Sequence, residues 1–163
     1  RDPETLHANR WFLAAYLLTW ALFSLVATTL QWNFQRADVL SHMLRAQGAL
    51  VGGGILVAAG IFQLTPLKAV CLRKCRTPIG FLLTNWRAGR RGAFQMGLKH
   101  GYYCIGCCWS LMMVLFVGGV MSLTTIAILS GIVALEKLAP RGEQIARLSG
   151  GLLVAWGFWL IFH

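Results

Sequence analysis

Acidic residues are scarce in this chain. Five Asp and Glu stand against fifteen Lys and Arg in 163 residues, and charged residues of either sign make up only 12%. No pair of catalytic carboxylates, no phosphate-binding glycine loop and no Ser, His and Asp in triad order appear, which removes the common hydrolase and nucleotide-dependent classes. There is no internal repeat, no low-complexity tract and no secretory signal peptide, since the first apolar run is too long for one and has no small-residue cleavage site. The chain opens Arg1-Asp2-Pro3 without an initiator Met, and reads as a fragment or a processed chain.

What is present is apolar. Hydrophobic residues make up 57% and the mean hydropathy is +0.63, values that a water-soluble domain does not reach and a bundle of membrane helices does. The net charge of +10 would suit a nucleic-acid binder if it were clustered. It lies instead between apolar runs, where it sets topology, so no nucleic-acid partner is expected. The reading is a single transmembrane domain over 1–163, all-α, a polytopic bundle of about five spans.

The first span covers about 11–34, with no charge between Arg10 and Arg36 and with Trp11 and Trp32 near its ends as interface anchors. The second covers about 46–65 and carries Gly48, Gly52, Gly53 and Gly54, small residues that let helix backbones approach closely in lipid. Pro66 closes it. Residues 67–99 read as a long basic loop without a single acid, with the apolar patch Pro78 to Trp86 either lying in the headgroup layer or packed on the bundle. Spans three, four and five follow at about 100–118, 120–138 and 145–162. Thirteen of the fifteen basic residues fall on one side of this arrangement, and only Arg36 and Arg45 on the other. The positive-inside rule then puts the N-terminus and the 67–99 loop in the cytoplasm.

Five cysteines occupy one quarter of the chain: Cys71 and Cys75 after span two, and Cys104, Cys107 and Cys108 within KHGYYCIGCCW. At about 100° per residue, His100, Cys104, Cys107 and Cys108 fall at roughly 0°, 40°, 340° and 80° and form one stripe. Cys71 and Cys75, four apart, share a face if that segment is helical. A lone cysteine in a membrane helix is a small apolar filler; five on one side of the membrane with a histidine in register exceed that description. Two chemistries remain open. Thiolates and imidazole bind Cu(I) or zinc, with Met112 one turn deeper favouring Cu(I). Alternatively, Cys104 and Cys107 have the C-x-x-C spacing of a redox dithiol.

Other residues have plainer expectations. His7 and His42 read as solvated loop residues, with His42-Met43 a weak external metal candidate. Tyr102 and Tyr103 read as interface anchors. Glu136 and Lys137 are expected to snorkel to the headgroups; a buried Glu136 facing the cysteines would instead be functional. Gln63 is placed to bond another helix or to orient a ligand.

The motifs QLTPLK at 63–68, CLRKC at 71–75, GFLLTNWR at 80–87, MGLKHGYYCIGCCW at 96–109, LFVGGVMSL at 115–123 and LEKLAP at 135–140 resemble the bacterial family of predicted metal-binding integral membrane proteins. The resemblance covers nearly the whole chain. It implies metal binding at Cys71, Cys75, His100, Cys104, Cys107 and Cys108, and supply of copper to exported oxidases such as tyrosinases. The expected function is therefore Cu(I) capture and delivery, to a partner cuproenzyme or across the bacterial inner membrane, with zinc the second ion the donors accept. Cys71 and Cys75 would make first contact with the metal. A membrane dithiol oxidoreductase and an assembly subunit of a larger membrane complex are the alternatives; the first reading makes the chain a carrier and not an enzyme. A reporter fused after His163 is expected to read external and one inserted near Gly89 cytoplasmic; both on one side would end the five-span topology.

Overall fold

The computed structural model describes residues 3–38, 46, 48–77 and 89–163. His42, Met43, Arg45, the Pro78 to Trp86 patch and Arg87 lie outside the described residues. Within them the chain is all helical: α1 (Pro3–Arg36), α2 (Ala49–Leu64), α3 (Pro66–Arg76), α4 (Gly89–Gly118), α5 (Leu123–Leu138) and α6 (Gly142–Phe162).

Successive legs reverse direction. Gly97 and Gly101 of α4 press on Phe12, Ala15 and Thr19 of α1, so these two helices run parallel. A Cβ on Gly157 would lie 2.8 Å from the Gly53 carbonyl oxygen, and one on Gly150 would lie 2.9 Å from that of Gly60, so α2 and α6 run antiparallel along a glycine seam. Gly52 faces Val117 and the Phe62 ring packs on Trp109, which sets α2 antiparallel to α4. Two of the four glycines expected to let backbones approach, Gly52 and Gly53, do so within the chain, while a Cβ on Gly48 would meet nothing within 4 Å. Gly52, Gly53 and Gly60 are filled by α4 and α6, while Gly54 faces open space.

Three helices, α1 from His7, α4 and α6, are each long and apolar enough to cross a membrane, and α2 with α3 makes a fourth candidate bent by 68°. α5 has 16 residues, about 24 Å of helix, short of the roughly 30 Å hydrocarbon layer. The count is thus three or four against the five expected. The outward face of α1 is lined by exposed Leu13, Leu17, Leu22, Leu25 and Leu30.

The basic 67–99 segment departs most from its reading as a loop. Its first part is α3 and its last eleven residues begin α4. Thr65 joins α2 to α3: its hydroxyl donates to the Phe62 carbonyl at 2.7 Å and accepts the Lys68 amide at 3.3 Å, with Pro66 at the first helical position. At the far end, Arg76 donates to the carbonyls of Lys137 (3.2 Å) and Ala139, satisfying groups at the end of α5. Of the cations that suggested a solvated loop, Lys68 and Arg76 are partnered inside the fold, while Arg73 and Lys74 find partners at its surface. At the α4–α5 turn Gly119 has φ 92°, a conformation glycine adopts without a side-chain clash.

Gly60→Ala puts a Cβ 2.6 Å from the Gly150 carbonyl oxygen, an overpacking expected to cost about 1–3 kcal/mol. Gly54→Ala, with nothing within 4 Å, is expected to be neutral or to stabilise by up to about 1 kcal/mol through helix propensity. Unfolding of both variants in detergent checks the contrast.

Candidate metal centre

All five cysteines belong to one buried cluster with Leu72 and Ala146, ringed by Tyr16, Trp20, Tyr103 and Met112. The i, i+4 spacing of Cys71 and Cys75 is realised because their segment is helical after all, and both turn toward α4. Cys75 Sγ stands 2.7 Å from Cys104 Sγ across the α3–α4 interface. Cys71 Sγ lies over Gly106, where a Cβ would come within 3.1 Å of the sulfur; the glycine between the two halves of CIGCC makes room for it. Cys107 and Cys108 donate their thiols to the Cys104 carbonyl at 3.1 and 3.0 Å.

His100 sits one turn before Cys104, its Nε2 3.8 Å from the Cys104 sulfur. Its ring lies between those of Phe12 and Tyr16 of α1, 6.0 Å from each centroid. The histidine is therefore at the margin of the thiol cluster, under an aromatic cover. Met112, half-buried, packs on the cluster from the next turn of α4. Among the described residues, no group of three or more His, Cys, Asp or Glu already has its donor atoms converged on one point as around an ion. The thiols pack as a core, and the five cysteines are free. The donor chemistry, thiols with imidazole and thioether at the edge, suits Cu(I).

Next to this cluster lies a second polar feature. Lys68 and Glu136 are each 1% exposed and form an ion pair of 2.7 Å. Lys68 also donates to the Cys107 carbonyl. Gln63 donates to Glu136 at 2.7 Å and to Ser149 at 3.1 Å, and Ser149 donates to Glu136 at 3.3 Å. One network therefore draws on α2, α3, α4, α5 and α6. A cavity of about 170 Å³ opens beside it, lined by Gln63, Lys68, Leu72, Glu143, Ala146 and Arg147. Glu136 does not snorkel, as had been expected: a carboxylate in an apolar bundle goes where a buried ammonium and two further donors meet it. Lys137 is half-buried.

Sequence reasoning did not find Lys68, Gly106 or Ser149. Lys68 had been grouped with the loop cations; its signal was the coincidence of a lysine three residues before Cys71 and a glutamate among only five acids. Tyr103, expected to be an interface anchor, packs on the cluster and receives a 3.0 Å hydrogen bond from Lys74, while Tyr102 is exposed. Gln63 does bond other helices, as expected; His7 is exposed as expected but sits in α1 and not in a loop.

Glu136→Gln leaves Lys68 buried without a counter-charge and is expected to cost about 3–5 kcal/mol, whereas Lys68→Met combined with Glu136→Met should recover most of that loss. Denaturation of the single and double variants measures the difference.

Comparison with known proteins adds one match. The family model PpoB2, described as a copper chaperone, matches residues 1–160. No curated protein matches the chain, and no solved structure does. With all but three residues of the chain covered by that match, and with a thiol-rich centre of the kind copper favours, the chain belongs to the PpoB2 copper chaperone family.

Proposed function

We propose that this chain is a membrane-embedded chaperone that takes up Cu(I) at Cys71, Cys75, His100, Cys104, Cys107 and Cys108 and hands it to a partner cuproenzyme or across the membrane. The observation that carries the reading is the gathering of all five cysteines, from two helices, into one buried cluster. Thiolate is the metal-binding form of cysteine, and Cu(I) accepts two or three soft donors, so the cluster offers sulfur in excess. The half-buried thioether of Met112 favours Cu(I) over zinc.

The setting proposed is a bacterial inner membrane with the N-terminus of this chain cytoplasmic. The alternating legs support it, because the start of α1, the α3–α4 junction and the α5–α6 turn then share one side, and His163 lies on the other. The exposed leucines of α1 suit contact with lipid. The assembly-subunit alternative loses its main surface, since the glycine face of α2 is occupied by α4 and α6. The oxidoreductase alternative drawn on Cys104 and Cys107 is not favoured either, because both Cys107 and Cys108 are directed at the α4 backbone.

The test is copper per chain with thiol titration on the same reduced sample. Cys107→Ser is expected to weaken Cu(I) binding by at least the roughly 10–100-fold that loss of a mere supporting residue costs, and Cys71→Ser to weaken it less. A metal-free protein with all five thiols titratable after Cu(I) exposure would refute the proposal.

A further inference from the structure

The cluster holds more thiols than one Cu(I) needs, and two of them stand apart from the rest. Cys107 and Cys108 are tied to the helix backbone through the Cys104 carbonyl, and Cys71 rests on Gly106. Cys75 and Cys104 bring their sulfurs to 2.7 Å from one another across two different helices. A disulfide bond is about 2.05 Å long, so these two sulfurs join with a small approach of α3 to α4. Cys71 and Cys75 are separated by a full turn of one helix and have no such geometry.

We propose that Cys75 and Cys104 form a cross-helix dithiol that reduces Cu(II) to Cu(I) within the cluster, an inference that rests on the copper reading of the same site. The step balances as follows. Two Cu(II) ions each accept one electron. The S–H bonds of Cys75 and Cys104 break, one S–S bond forms, and two protons pass to water. The products are two Cu(I) and one Cys75–Cys104 disulfide. Cys71, Cys107, Cys108 and His100 remain as donors for one of those ions, which now has the valence that soft ligands prefer. A small-molecule thiol, by two successive exchanges, restores the dithiol. Cu(I) that arrives already reduced finds all five thiols available and leaves no disulfide behind. The redox pair therefore differs from the C-x-x-C pair that spacing suggested, because the partner of Cys104 comes from another helix.

The experiment uses the full chain in detergent, reduced and then freed of reductant under anaerobic conditions. Cu(II) is added in excess, and the Cu(I) formed is read with a colorimetric Cu(I) chelator. Non-reduced peptide mapping locates any disulfide. The expected result is two Cu(I) per chain with a single Cys75–Cys104 linkage, and loss of at least nine-tenths of that rapid yield in both Cys75→Ser and Cys104→Ser. A parallel titration with Cu(I) separates the two levels of the argument. Wild-type chain that binds Cu(I) but reduces no Cu(II), or that links Cys104 to Cys107 or Cys107 to Cys108, overturns the reduction proposal and leaves the copper site standing. Chain that takes up Cu(I) under no condition overturns both.

Discussion

A lysine and a glutamate buried together in an apolar bundle are stable only if each is where the other needs it. Lys68 and Glu136 meet this condition at 2.7 Å, and Gln63, Ser149 and the Cys107 carbonyl supply further hydrogen bonds to the pair. Removing either charge strands the other, and that asymmetry, more than the gain from the pair itself, fixes the arrangement. Helices α2 to α6 must converge at one depth for the network to close. Cys107 joins it through its carbonyl and Cys71 lies one turn from Lys68, so the cysteines of α3 and α4 take their register from it.

Away from this point the bundle is held by close backbone approach. The α2–α6 seam and the α1–α4 contact both run through glycines, and in a setting where side-chain burial from water contributes little between helices, such contacts supply the packing attraction. α1 packs on α4 and adds the rings of Phe12, Tyr16 and Trp20 over the histidine side of the cluster.

Much of this was legible in residue order. Charge-free runs located the long helices, glycines marked the close seams, and the spacing of His100, Cys104, Cys107 and Cys108 placed them on one stripe. The 67–99 segment was not legible. Lys68, Arg73, Lys74 and Arg76 look solvated by composition, yet their partners Glu136, Glu143, Tyr103 and the α5 carbonyls stand 29 to 70 residues away. Local periodicity carries no information on neutralisation at that separation. The meeting of the two cysteine groups was legible, because both lie on one side of the bundle, but which sulfurs touch was not: C-x-x-C spacing points along one helix, and the Cys75–Cys104 contact crosses two.

The 68° bend between α2 and α3 gives the site a lever. Thr65 and Pro66 form the fulcrum, and Cys75 lies at the end of the arm, ten residues out. At 1.5 Å per residue the arm is roughly 15 Å, so a swing of about 10° carries the Cys75 sulfur about 2.6 Å without unwinding a helical turn. That displacement is comparable to the whole Cys75–Cys104 separation. With Lys68 close to the fulcrum, the ion pair can stay closed while the distal sulfur moves, so the Cys75–Cys104 separation is set by angle and not by unfolding.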